Sequence, residues 1–371
     1  MKRRTLIAAA VAAAAAPVVW GQDRAGSAWR IARSLPLTGA QASYGEAKRD
    51  GADAFAALVN AGGGIAGRRI AFGTADDGYD ERRTAENVAA LAASHDPVAF
   101  AGFFGAPQCA AAAAALGKVG VPGLGFTTGS NAFRDNPQRE VFPVRCSFVQ
   151  ETAAIVRHHK TTGIQRAVIA FVDIPFGRLA RASFEQAARA EGVALAPAIE
   201  LRADGANVAA VAAALRGSES LVLMALHTPS AVALARELRS QGSHQQLWCL
   251  SAVDAVVLQS ALQGAARGVA SSIVVPATSK LAVPVVRDYL GATRAIGKPP
   301  TAYGLEAFIE MKALAHGLAH MRGSAPQDLI AALESAGRFD LGGLDVTYGK
   351  GERTGARFVD LVMISNSGIV T

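Results

Sequence analysis

Between residues 29 and 250, short apolar runs of β-favouring residues alternate with stretches of helical period, and few folds accept that alternation. Residues 31–35 read as strand and 43–60 as helix, with Ala47, Phe55, Leu58 and Val59 on one side. Strand 69–74, helix 80–93 capped by Asp80, strand 98–104, alanine-rich helix 110–119 and strand 121–126 follow. The pattern restarts after Phe142 with helix 151–160, strand 166–172, helix 178–191, strand 193–201, helix 208–216, strand 221–226, helix 230–241 and strand 246–250. Strands that are apolar throughout, rather than every second residue, belong to parallel sheets covered on both faces. Two such series, divided near residues 141–147, predict an α/β protein of two doubly wound parallel-sheet lobes. Helices at 283–295, 303–321 and 326–336 come next. Two closing β-runs, 344–348 and 358–364, are joined by a glycine-rich turn that makes them a hairpin.

The chain has 371 residues, 51% of them apolar and 18% charged, enough to bury a large core and too apolar for disorder. Its formal charge is +7, and setting aside Lys2, Arg3 and Arg4 leaves an excess of +4. That excess is dispersed, without a basic run, and only 6% of residues are aromatic, which argues against nucleic acid as a partner. Residues 1–21 read as a cleaved export signal: Lys2-Arg3-Arg4, an apolar run from Leu6 to Ala16, then Val19-Trp20-Gly21 before Gln22. Arg3-Arg4 fits an ordinary signal better than a twin-arginine one. The apolar run stops at Pro17, short of a membrane span.

Three cysteines, Cys109, Cys146 and Cys249, lie in apolar surroundings and read as buried thiols, with a Cys109–Cys146 bridge as the alternative. Residues 62–67 (Gly62-Gly63-Gly64-Ile65-Ala66-Gly67) match GxGxxG in letters, but a helix precedes them and a strand follows. That order is the reverse of what a dinucleotide needs. His316 and His320 have zinc spacing without a Glu or a third ligand, and Asp76 to Asp80 lack the closing Glu of a calcium loop. No nucleophile elbow, P-loop or HExxH occurs, so neither catalysis nor a cofactor or metal is expected.

Polar and aromatic residues instead follow successive strands: Tyr44, Gln108-Cys109, Thr127-Thr128-Gly129-Ser130-Asn131, Phe176-Gly177, His227-Thr228 and Asp254. Ligands of open α/β sheets bind outside the C-terminal ends of strands, so a groove between the lobes is the expected site. Gly129 and Asn131 are expected to open a helix whose N–H groups favour an anion.

The stretches Ser34-Leu35-Pro36-Leu37-Thr38-Gly39, Tyr44-Gly45, Asn60-Ala61-Gly62-Gly63-Gly64-Ile65-Ala66-Gly67 and Asp76-Asp77 resemble the leucine/isoleucine/valine-binding protein family. These are type I solute-binding proteins of ABC importers. Pro122, Val141-Phe142-Pro143-Val144-Arg145, Asp173, Phe176-Gly177 and Phe339-Asp340-Leu341-Gly342-Gly343 agree as well. The resemblance implies two lobes joined by a three-crossover hinge near Val144, Val275 and Leu344: residues 28–143 with 276–343, and 144–275 with 344–371. It implies a monomer in the periplasm that captures a small solute, performs no chemistry and delivers to an ABC permease in the inner membrane. A ligand sensor of the same fold, feeding a receptor or regulator, is the alternative. By the same resemblance Tyr44 lids the ligand, and Gln108 or Cys109 stands where a Ser or Thr meets its carboxylate. Gly129, Ser130 and Asn131 cradle that carboxylate, Phe176 and His227 stand at two tyrosine positions, and Tyr303 is the hinge-side aromatic. Val253 aligns with the acid that pairs a ligand's ammonium, and Asp254 comes one residue late. An amine-free organic acid is therefore as well accommodated as an amino acid.

Overall fold

The computed structural model describes residues 28–217, 221–365 and 368–370. The expected export signal, residues 1–21, lies outside them. The first sheet is built from β1 (Ala28–Leu35), β2 (Arg69–Asp76), β3 (Ala99–Phe104), β4 (Gly123–Thr127) and β5 (Val141–Phe142), in the order β2-β1-β3-β4-β5 and parallel throughout. The second uses β6 (Arg166–Val172), β7 (Ala194–Leu195), β8 (Ile199–Leu201), β9 (Leu221–Ala225), β10 (Gln246–Cys249) and β11 (Val269–Ile273). The expected strand 193–201 is broken in two around Pro197, which has no N–H to give a ladder.

Each sheet is covered on both faces, as the unbroken apolar strands require. In β3 every residue is buried. Phe100 and Phe103 pack below the first sheet with Leu116 and Phe126. Phe308 and Leu314 of the helix Ala302–His320 pack above it with Phe55. The helix Ala42–Ala61 turns Gly45, Lys48, Gly51, Ala52 and Phe55 inward, so the expected apolar side is rotated and Leu58 is 47% exposed. That rotation lets Gly51 meet Gly304 backbone to backbone: a Cβ on Gly51 would overlap the Gly304 carbonyl.

The chain end differs from expectation. β12 (Gly337–Asp340), β13 (Asp345–Gly349) and β14 (Glu352–Ala356) form a separate antiparallel sheet, so the hairpin partner of 345–349 is 352–356. The run expected there, now β15 (Asp360–Ser365), pairs antiparallel with β11 in the second sheet and carries β16 (Gly368–Val370). Val346, Tyr348 and Ala356 pack into the cluster of Phe308 and Leu314. Residues 345–356 thus pack with the first sheet's core, residues 360–365 join the second sheet, and the chain passes between the two at 357–359. The first crossover runs beside it, with Ala356 N donating to Val144 O at 2.6 Å. The half-buried Arg134 guanidinium donates to the carbonyls of Thr354 and Arg145, bridging both segments.

Candidate functional site

Tyr44 sits in the first turn of the helix after β1, where Gly45 allows the backbone to touch Pro36 O. Its ring stacks on Phe104 at 5.3 Å and 12°, and meets the edge of Tyr303 at 5.0 Å. Phe104 and Tyr303 are themselves 5.6 Å apart. This wall reaches across to the other lobe twice. The Tyr44 hydroxyl lies 3.4 Å from Thr228 Oγ1, and the Tyr303 hydroxyl donates to Ser251 O at 3.4 Å.

His227 stands just before the helix Thr228–Ser240, and its side chain makes no capping bond. Its Nδ1 is buried without a partner, and burial lowers its pKa, so the ring is neutral at neutral pH. Phe176, in the first turn of the helix Pro175–Glu191, meets Phe148 edge-on at 5.5 Å. Phe148 N donates to Gly129 O at 2.7 Å, and its ring fills the space a Gly129 Cβ would need. Gly129 and Phe176 thus approach one ring from opposite lobes.

The helix after Asn131 runs only over Ala132–Asp135, too short to build a dipole, and the Asn131 amide is turned to Asp135 at 2.8 Å. Ser130 N is taken by Thr128 Oγ1 at 3.2 Å. The stronger N-terminus is that of Ala106–Val119, which begins four residues before the expected 110 and draws Gln108 and Cys109 into its first turn. Both are buried: Gln108 is 3% exposed, and Cys109 packs with Phe103 and Leu116, its thiol pKa pushed far up by burial. Gln108 Nε2 donates to Tyr79 O at 2.8 Å, leaving its buried Oε1 without a partner. All three cysteines are free and buried. Asp254 caps the helix Ala255–Leu262, accepting from Val256 N at 2.8 Å and Val257 N at 3.2 Å, while Val253 packs in the second lobe's core.

A buried charge cluster next to this wall escaped the sequence reading. Lys48 Nζ bonds Thr127 Oγ1 and Glu310 Oε1 (2.8 Å) and lies 3.7 Å from Glu306 Oε1. Arg145, in the first crossover, lies 3.6 Å from the same Glu306 oxygen, 3.3 Å from Glu151 Oε1 and in contact with Ser251 Oγ. Glu151 Oε2 accepts from Ser251 N at 2.9 Å and Ser272 Oγ at 2.7 Å. Burial alone would lower the Arg145 pKa, but Glu306 and Glu151 beside it raise it instead. Burial pushes Glu310 up to about 7 against the pull of Lys48. The available signal was a Glu pair at i and i+4 inside the mainly apolar first half of the helix Ala302–His320.

Between the lobes, on the crossover side of Tyr303, lies a chamber of about 490 Å³ whose walls include Ser251, Asp254, Ser272, Val275, Tyr303 and Glu306. Among the described residues no group of His, Cys, Asp or Glu could hold a metal, and no helix is long and apolar enough to cross a membrane.

Residues 28–368 match the model of the periplasmic binding protein family, at nearly the full length described. The chain belongs to that family. Its members are substrate-binding proteins rather than enzymes. This periplasmic binding protein is similar in structure to a substrate-binding periplasmic protein of Ralstonia solanacearum. The two share 26% identity and a TM-score of 0.83, over 92% of this chain and 99% of that one. A possible leucine/isoleucine/valine-binding protein of Rhodopirellula baltica shares 25% identity and a TM-score of 0.83 over 94% and 98%. A fatty acid ABC transporter substrate-binding protein of Thermomonospora curvata shares the fold at 17% identity, with a TM-score of 0.78 over 95% and 93%. No curated protein sequence matches.

Proposed function

We propose that this binding protein is the solute-capturing component of an ABC importer. It works in the periplasm as a monomer and hands a small carboxylate-bearing solute to an inner-membrane permease. The observation that carries this reading is the double reach of one aromatic wall, Tyr44–Phe104–Tyr303, onto two loops of the opposite lobe. Such a contact gives ligand binding something to stabilise, a closed form in which both lobes grip the solute. The helices Ala106–Val119, Pro175–Glu191 and Thr228–Ser240 all begin at the strand ends facing the groove. Their first N–H groups have no partner within the helix, which suits a carboxylate. The solute-binding relatives named above agree with transport, and they span amino-acid and fatty-acid carriers, so carboxylates are their common chemistry.

A thermal-shift screen over amino acids and organic acids tests this. A carboxylate solute at 100 times its dissociation constant adds about 2.7 kcal/mol to stability. A panel in which sugars or polyamines shift the melting point and no carboxylate does would contradict the reading.

A further inference from the structure

The chamber beside Tyr303 lies between the lobes, but it takes up only the crossover end of the site that the sequence singled out. Of the expected site residues only Asp254 and Tyr303 line it; Tyr44, Gln108, Gly129, Asn131, Phe176 and His227 do not. Tyr303 packs against Tyr44 and Phe104 and also lines the chamber. The walls are largely apolar, with Val253, Ile273, Val274, Val275 and Val362 among them. Two carboxylates, Asp254 and Glu306, reach the lining and no Lys or Arg does.

Glu306 is the decisive group. It is only 4% exposed, and its Oε1 makes no hydrogen bond although Lys48 and Arg145 stand 3.7 and 3.6 Å away. That oxygen is closed off beside the two cations, while the residue itself lines the chamber, so a donor there would meet the carboxylate from the chamber side. Lys48 and Arg145 each have a closer carboxylate partner, Glu310 at 2.8 Å and Glu151 at 3.3 Å, so neither cation is held by Glu306 alone.

We propose that this chamber is a subsite for an organic ammonium with an apolar body, held by the Glu306 carboxylate. The ammonium donates to the Glu306 carboxylate, residues Ser251 and Ser272 lie in the same wall, and the valines receive the apolar part. Because the walls come from both lobes and the second crossover, occupancy favours the closed form. The subsite does not require the groove to hold a carboxylate. The ammonium is either one end of the transported solute or a separate amine.

The test is calorimetry on the mature chain with 3-methylbutylamine, 4-methylpentanoate and leucine as probes. The wild type binds the amine, and E306Q weakens it by roughly 10- to 100-fold, the loss of one charge-assisted hydrogen bond. Binding of 4-methylpentanoate stays unchanged in E306Q, a separation that a purely structural role for Glu306 would not produce. E306D restores part of the amine affinity. V256W, which fills the chamber from an exposed wall residue outside the charge cluster, removes amine binding and keeps the fold should E306Q fail to fold. Two patterns support the subsite and identify its source. Leucine losing affinity in E306Q as the amine does makes the ammonium an end of the solute; amine and acid binding together with additive heats makes it a separate molecule. An amine that does not bind the wild type, or binds E306Q and V256W as well as wild type, overturns the subsite. It leaves the carboxylate reading intact if 4-methylpentanoate still binds; failure of every carboxylate alone strikes that reading instead.

Discussion

The hydroxyl of Tyr44 lies 3.4 Å from Thr228 Oγ1, joining residues 184 positions apart on opposite lobes. Thr228 is buried and Tyr44 half-buried, so parting the lobes would have to break this contact. Thr228→Val keeps the side chain's shape and removes the hydroxyl. Losing about 1 kcal/mol of closed-state stability should weaken solute affinity roughly fivefold, measured by calorimetry with the best carboxylate from the screen. Unchanged affinity would mean that this bond does not hold the lobes together.

Lys48 is 1% exposed and stands between Glu310 and Glu306. Lys48→Met removes the cation and leaves two carboxylates facing each other without it. Urea unfolding should report a loss of about 3–5 kcal/mol, and adding Glu310→Gln should recover part of it. Arg145 stays next to Glu306, which limits the loss to one side of the cluster.

His159 predicts how the protein responds to acid. It is 1% exposed, against Trp248 at 4.9 Å, and neither ring nitrogen has a partner. Burial, with His158 adding to it, lowers its pKa to about 4. The unfolded chain therefore takes up the proton first. Full stability is present above about pH 6.5 and is lost as pH falls from there towards 4, by up to roughly 3 kcal/mol from this residue. His159→Phe should flatten that acid limb in urea melts at pH 7 and pH 4. A limb of the same slope in the variant would assign the acid sensitivity to other groups.

Gly51→Ala tests the helix crossing on the first sheet. The new methyl meets the Gly304 carbonyl, so the helices Ala42–Ala61 and Ala302–His320 must part. The expected cost is about 1–3 kcal/mol, read as a lower melting temperature. Gly63→Ala, on the same segment in open space but at φ 94°, is a control for backbone strain without a clash.

The layered architecture was legible because parallel strands covered on both faces are apolar at every position, a pattern hard to mistake. The C-terminus was harder to read. Residues 352–356 (Glu352-Arg353-Thr354-Gly355-Ala356) carry no alternation, yet pairing with β13 and the bonds of the buried Arg353 to Val141 O and Arg139 O hold them as strand. The strand ends were legible as places where a site could lie, and the structure brings Tyr44, Tyr303 and Thr228 together there. Gln108 and Cys109 stood as alternatives in the sequence because they share the first turn of one helix, and both side chains are buried there. Lys48 and Glu306 were missed because a charged residue inside a helix ordinarily faces solvent, and only tertiary packing turned these inward.

The measurement closest to the central claim is small-angle X-ray scattering on the mature chain, alone and saturated with a carboxylate solute found by thermal shift. The account predicts a smaller radius of gyration with solute, as two lobes rotating about crossovers near Val144, Val275 and residues 357–359 close the groove. An identical profile with and without saturating solute would contradict it.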